Sequence, residues 1–456
     1  MAGTQVPWRA ALLVSLAAKL LLWGWITSAD PARFWDDGDT RSYVNPALSL
    51  VEQHVFAVAP DQPHTPEVNR TPGYPAFLAA SFILFGKSLA VVVLLQIILS
   101  VGTLALVGSL SQAVFGRRRV ATLTVWIGAL DLLSLTFSQI LLTETLFTFV
   151  LAAAAWAGLR ARRGDGGPRW AAACGLLLGL GALVRPIGYY LPLPLALVLG
   201  VCGASGRRSR FVVSLSVAAL IPAAIVLGGW QLRNHATAGV WAFSTEIAGE
   251  VDRRAARIER LASLNDDGSD IRGRGQNRDA PVTGEREGAA LLLRHPVLFL
   301  RTSVWNAART MAGPGEHRFI RLLGYPRPDA PGLDLRRVLV RQAQGQDRRW
   351  LDFDWFADKW LRPPRWPILP FALSATHLAV LDLGLLFWLV RALGRRRMSA
   401  PDLVVMAILG YLLVTSGAGS RFRVPIMPFA SIYAAAGYFG LDRCTKSVSR
   451  ARKNDV

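Results

Sequence analysis

Apolar runs of about spanning length recur along this chain at residues 8–28, 88–115, 120–136, 140–159, 170–184, 188–204, 211–231, 366–393, 401–417 and 423–441. A bilayer's hydrocarbon layer needs about 17–25 residues of helix, and these runs, a few of them short, fall near that length. They constrain the fold more than any other feature, because they point to an all-α polytopic membrane protein with about ten transmembrane helices. Composition agrees: 456 residues that are 52% hydrophobic with 15 Trp, at mean hydropathy +0.33, are too apolar for a soluble domain of this length.

The formal charge of +20 invites a nucleic-acid reading, but the Lys and Arg sit in short clusters between the runs. "FGRRR" (115–119), "RARR" (160–163), "GRRSR" (206–210), "GRRR" (394–397) and the tail "RCTKSVSRARK" (443–453) follow every second run, as cytoplasmic loops do. Nucleic acid is therefore excluded as a partner, and both termini are expected in the cytoplasm of a multi-pass plasma or inner membrane protein. Residues 29–87, the turns near 137 and 186, the long segment 232–365 and "SRFR" at 420–423 then face outward. Run 8–28 lacks a small-residue cleavage signature and carries Lys19, so it reads as an uncleaved first helix that also targets the chain. Cys174, Cys202 and Cys444 lie in or beside apolar runs or in the basic tail and suggest neither a disulfide framework nor a closed zinc site.

Three regions follow: 1–231, a transmembrane module with its first outer loop 29–87; 232–365, an outer-face region; and 366–456, the last helices and basic tail. Residues 74–86 are apolar but only about 13 long, which suits an interfacial helix rather than a span. Just before them "NRTPGYP" supplies Pro and Gly, which suit irregular backbone held against protein or a wet cavity. Residues 250–288 are polar, charged and Gly-rich, either a cover for the acceptor or a plain linker. Residues 289–312 show helical apolar spacing interrupted at Pro296, which predicts amphipathic surface helices.

The polar candidates fall on the outer side. Asp36, Asp37 and Asp39 stand just beyond the first helix; their bland reading is solvated loop charge. Asp39 and Tyr43, four residues apart and followed by Ala47 and Leu50, share one face of a helix leading back to the membrane. Glu144 lies within an apolar run, where an acid is costly and normally paired, in a site or in a structural ion pair. His54 and His64 read as loop residues.

Taken in order, the motifs resemble the GT-C superfamily of membrane glycosyltransferases, in the family 39 branch that includes protein O-mannosyltransferases and aminoarabinose transferases. "GDTRSYVNPALSLVEQHVF" is similar to the acidic element that opens the first outer loop, and "RTPGYPAFL" to the element that follows it, through Arg70, Pro72, Gly73, Tyr74 and Pro75. "LLTETLFTF" around Glu144, "VRPIG" at Arg185, "WQLRNHATAG" at Arg233 and Asn234, and "SRFRVPIMP" at Arg421 and Arg423 resemble later elements. The resemblance implies a GT-C-like bundle with outer interfacial helices, and inverting transfer of a sugar from a polyprenyl-phosphate donor to a glycan, lipid or protein acceptor at the outer face.

That chemistry needs a general base for the acceptor hydroxyl, for which Asp39 is the first candidate and Asp37 the second. It also needs donors for the departing phosphate, where a guanidinium's paired N–H groups suit better than an ammonium. Arg70, Arg185, Arg233, Arg421 and Arg423 are candidates, with Asp36, Tyr43, Tyr74, Glu144 and Asn234 as further substrate-binding residues. Each Arg also has a bland reading as an interfacial side chain reaching to lipid phosphate. A divalent cation, Mg²⁺ or Mn²⁺, is left open, because the arginines can supply the same electrostatic work. A transporter of lipid-linked sugars would show charges deep in several helices or paired repeats. An O-antigen ligase or polymerase fits the early acids and "RTPGYP" poorly, and a purely structural membrane subunit is the bland rival.

Overall fold

The computed structural model describes residues 8–35, 38–162, 166–201, 209–266, 290, 292–325, 368–393, 400–417 and 419–439. Among them the chain is helical, with one isolated antiparallel bridge between Ala57 and Pro66. The first part holds α1 (Arg9–Ala29), α2 (Thr40–Glu52), α3 (Gly73–Phe85), α4 (Leu89–Phe115), α5 (Arg118–Ala129), α6 (Leu132–Phe137) and α7 (Glu144–Ala161). It continues through α8 (Gly167–Val184), α9 (Pro192–Val201), α10 (Ser209–Ala238) and α11 (Thr245–Asp266). After these come α12 (Pro296–Ala312), α13 (His317–Leu322), α14 (Ile368–Leu393), α15 (Ala400–Thr415), a 3₁₀ turn at Ser420–Arg423 and α16 (Met427–Phe439).

Among the described residues five helices are long and apolar enough to cross a membrane: Arg9–Ala29, Leu89–Phe115, Gly167–Val184, Val213–Ala238 and Ile368–Leu393. The remaining expected spans are shorter or interrupted. Run 120–136 is divided between α5 and α6 at Asp131, whose carboxylate caps α6 by accepting from the N–H groups of Leu133 at 3.2 Å and Ser134 at 3.0 Å. An acid inside an apolar run is thus spent on the backbone donors of a helix start. Run 140–159 becomes helical only at Glu144, and run 423–441 only at Met427. Pro296, expected to interrupt a helix, instead occupies the first turn of α12, where its missing N–H costs nothing.

The helices form a row in which α4 meets α7, α7 meets α8 and α8 meets α10, while α16 lies against α5 and α14. The core centres on α4, α7 and α16, with Ile97, Phe147, Ala155, Phe429 and Ala435 fully buried. Small residues set the closest approaches: a Cβ at Gly175 of α8 would stand 1.7 Å from the Ala219 carbonyl oxygen of α10. On the outside, Leu21, Trp25, Ile98, Leu197, Ile225 and Leu373 are exposed, the apolar surface that lipid covers in a multi-pass membrane protein.

Candidate active site

One backbone and one side-chain hydrogen bond bring the segment between α1 and α2 to the start of α7. Leu141 N–H donates to the Phe34 carbonyl at 3.0 Å, and the Thr40 hydroxyl donates to the Leu141 carbonyl at 3.1 Å. Asp39 at the start of α2 and Glu144 at the start of α7 are thereby held at one end of the bundle. In α2 the inward face carries Thr40, Tyr43, Val44 and Ala47, so the expected stripe from Asp39 through Tyr43 and Ala47 is present, with Leu50 partly buried behind it.

Asp39 makes no capping hydrogen bond to its helix, because its carboxylate is used elsewhere. Oδ1 accepts from Arg70 Nη2 at 2.9 Å, and Oδ2 accepts from Arg421 Nη1. Arg421 also donates through Nε to Glu144 Oε1, and Arg185 Nη1 reaches the same oxygen at 2.8 Å. A chain of alternating charge, Arg70, Asp39, Arg421, Glu144 and Arg185, therefore joins five distant parts of the sequence. Glu144 is fully buried, and its second oxygen has no hydrogen-bond partner among the described residues.

The Arg70 end is built by the loop before α3. Glu67 Oε1 accepts from the backbone N–H groups of Asn69 at 2.6 Å and Arg70 at 2.8 Å, which fixes the loop. Arg70 then reaches Ser42 Oγ at 3.0 Å, Tyr43 OH at 3.1 Å and Glu246 Oε1 at 2.9 Å, with its guanidinium 4.7 Å from the Tyr43 ring centroid. Tyr74 meets Tyr43 edge to face at 5.4 Å and donates to Gln96 Oε1 at 2.7 Å, and Gln96 donates to the Ile140 carbonyl at 2.9 Å. Tyr74 is thus a buried strut between α3, α4 and the start of α7, one shell behind the charges.

Burial alone would raise the Asp39 pKa, but the hydrogen bond and charge of Arg421, joined by Arg70, outweigh it and hold the carboxyl below its ordinary value. Burial pushes the Tyr43 phenol up to about 12, against the pull of Arg70. Arg421 is held firmly charged: burial works against it, and Glu144 and Asp39 prevail.

Three of the expected arginine-site residues point elsewhere. Arg233 donates to the carbonyls of Glu67 at 2.7 Å and Phe56 at 2.8 Å and braces the loop between α2 and α3, while Asn234 donates to that of Ala242 at 3.0 Å and holds the turn after α10. Arg423 is 1% exposed and donates to the carbonyls of Met311 at 2.9 Å and Gly313 at 2.6 Å, which end α12. It anchors the turn that carries Arg421. His54 and His64 are exposed between α2 and α3. Asp36 and Asp37 lie outside the described residues, as do Cys202, Cys444 and residues 267–288 of the polar segment; residues 250–266 are helical in α11. Sequence reasoning missed Glu246, Ser42, Glu67 and Gln96. Only Gln96 carried a signal, an amide within an apolar run.

Asp39 and Glu144 both face guanidinium groups, and among the described residues no three His, Cys, Asp or Glu side chains converge as a cation site.

Residues 69–230 match the family described as dolichyl-phosphate-mannose-protein mannosyltransferase, a stretch that includes Arg70, Tyr74, Glu144 and Arg185. The structure superposes on the oligosaccharyltransferase AglB from Archaeoglobus fulgidus, solved with an inhibitory peptide and a dolichol-phosphate. The TM-score is 0.51 at 13% identity, over 98% of this chain and 51% of that one. The chain has a GT-C-like fold. The same archaeal enzyme in its apo form matches at TM-score 0.51 and 13% identity, over 98% of this chain and 52% of that one. ArnT from Cupriavidus metallidurans, bound to undecaprenyl phosphate, gives TM-score 0.40 at 14% identity, over 94% of this chain and 77% of that one. The chain spans about half the length of the archaeal enzyme. No curated protein sequence matches it.

Proposed function

We propose that this protein is an inverting glycosyltransferase that moves a sugar from a polyprenyl-phosphate carrier to a glycan, lipid or protein acceptor at the outer face of the membrane. The observation that carries the proposal is the chain of charge at one bundle end, with Asp39 between Arg70 and Arg421 and Glu144 between Arg421 and Arg185. A base and several fixed cations side by side are what this transfer needs. The dolichol-phosphate bound in the archaeal structure of like fold is a carrier of the proposed kind.

The arginines neutralise the two carboxylates until a donor phosphate enters and takes guanidinium N–H groups from them, with Arg421 and Arg185 as the donors best placed. Asp39, released from part of its pairing, is then free to accept a proton. The acceptor hydroxyl oxygen attacks the anomeric carbon opposite the phosphate while the anomeric C–O bond breaks and its electron pair leaves with the phosphate. The hydroxyl proton passes to Asp39, and the configuration inverts. Glu144 Oε2, buried without a partner among the described residues, is placed to accept from a sugar hydroxyl.

The transporter reading gains nothing from Lys19, Asp131 and Arg423, which lie deep in the bundle and are each answered locally. Lys19 donates to Ser15 Oγ at 2.8 Å, Asp131 caps α6, and Arg423 is bound to carbonyls. Asp39→Asn keeps the shape and removes the basicity, so transfer from a polyprenyl-phosphate sugar should fall roughly 100-fold or more, the scale of general-base catalysis. The readout is release of polyprenyl phosphate by purified, monodisperse protein. A wild-type rate in Asp39→Asn, with Asp37→Asn inactive, would move the base within the acidic cluster; wild-type rates in both would end the assignment.

A further inference from the structure

At the opposite end of the bundle lies a cavity of about 360 Å³ between the last turns of α4 and α7 and the entry to α1, lined by Trp8, Ser109, Gln112, Trp156 and Arg160. The 21 residues of α1 separate Trp8 from the first outer loop by about 30 Å at 1.5 Å per residue, so this cavity belongs to a different membrane face from the charge chain. Its volume is that of a small-ligand site.

The geometry points to a binding site for the headgroup of an anionic, hydroxyl-bearing phospholipid. Arg160 stacks its guanidinium 4.6 Å from the Trp156 centroid and 5.8 Å from that of Trp170, and the two rings meet edge to face at 5.2 Å. Stacking fixes the plane of the guanidinium and leaves its N–H donors directed outward along its edge. Among the described residues no carboxylate pairs with it, and none lines the cavity. A fixed fork of donors with no carboxylate partner among the described residues matches phosphate oxygens. Arg117, Arg118, Arg119 and Arg169 stand at the same end and add a positive field, the arrangement that draws anionic lipid at the cytoplasmic leaflet.

Two features select the headgroup further. Gln112 Oε1 is buried without a hydrogen-bond partner among the described residues, and it accepts only from a donor such as a headgroup hydroxyl. Arg160 already lies over Trp156 and Trp170, and its positive charge at the cavity repels a quaternary ammonium. Glycerol-type anionic headgroups fit, and choline headgroups do not. Tryptophans at the rim suit the depth at which headgroups lie.

The test is binding of a fluorescent short-chain phosphatidylglycerol to the full chain in neutral detergent, with phosphatidylcholine and inorganic phosphate as competitors. Phosphatidylglycerol should bind, phosphatidylcholine should not displace it, and millimolar inorganic phosphate should leave it bound. Arg160→Gln should weaken binding about tenfold, the scale of one charge-assisted contact, and Gln112→Leu by a smaller factor. Displacement by phosphatidylcholine, or unchanged affinity in both variants, would overturn the site. Displacement by inorganic phosphate would assign it to a soluble anion instead and overturn the lipid. Should Arg160→Gln aggregate, Gln112→Leu, which alters no charge, decides alone: unchanged affinity there rejects the headgroup.

Discussion

Asp39 is held as a carboxylate by its neighbours, and this fixes how the proposed reaction should respond to pH. Arg421 and Arg70 keep its pKa below the ordinary value against the opposing effect of burial. The acid limb of kcat/KM due to this group therefore lies below the usual carboxylate region near about 4. Arg421→Gln removes the strongest of the lowering influences and leaves burial opposed by Arg70. The Asp39 pKa must then rise, more of it is protonated at a given acidic pH, and the acid limb moves upward. A pH profile of kcat/KM for Arg421→Gln reads this directly; an acid limb at the wild-type position would show that Asp39 is not the titrating base. The sequence made this cluster legible through residue type: Asp39, Tyr43, Arg70, Glu144, Arg185 and Arg421 do converge. It did not distinguish Arg421 from Arg423, two residues apart, because one turns to carboxylates and the other to the carbonyls that end α12. Glu246 was hidden because the pairing that gives it meaning, with Arg70, spans distant segments and leaves no local pattern.

Among the elements, the loop into α3 shows what its glycine is for. A Cβ at Gly73 would stand 2.7 Å from the backbone C and O of Leu183 and N of Val184, the last residues of α8. Backbone at a helix end cannot yield as a flexible side chain does, so Gly73 lets the Arg70 loop rest against the helix end that carries Arg185. Gly73→Ala should lift the two apart, costing about 1–3 kcal/mol as overpacking does. It should lower both the midpoint of thermal unfolding in detergent and the transfer rate. Gly24→Ala, with nothing within 4 Å of the added carbon, is the control. Equal midpoints and rates for the two variants would mean that the close approach does not matter. From sequence, "RTPGYP" reads as irregular backbone, which it is; the reason for the glycine lies in a neighbour about 110 residues away. The short runs are a similar case. Apolarity marks 120–136 and 140–159 as buried, but the interruptions at Asp131 and before Glu144 follow from capping and site geometry, to which a hydropathy window is blind.

For the whole molecule, the helices separate two chemically different ends. Asp39, Arg70, Glu144, Arg185, Glu246 and Arg421 gather at one, while Arg117, Arg118, Arg119 and Arg160 lie at the other. Helices α1 and α4, with 21 and 27 residues, set the ends roughly 30–40 Å apart at 1.5 Å per residue, enough to cross the hydrocarbon. We propose that a bilayer placed between them leaves the basic end in the cytoplasm, since retained loops are the ones rich in Lys and Arg. On that proposal the acid and arginine chain faces outward, where a carrier lipid with its sugar translocated would present its phosphate. Cysteine labelling in intact cells tests that orientation on exposed positions at each end. His64→Cys, in the first outer loop, should react with a membrane-impermeant maleimide, and Arg118→Cys should react only after the membrane is opened. The opposite pattern would turn the molecule over, place the charge chain in the cytoplasm and remove the outer-face transfer. Labelling of both in intact cells, with an impermeant reagent shown not to enter, would mean that the two ends share a compartment and that the bundle does not span the bilayer as these lengths require.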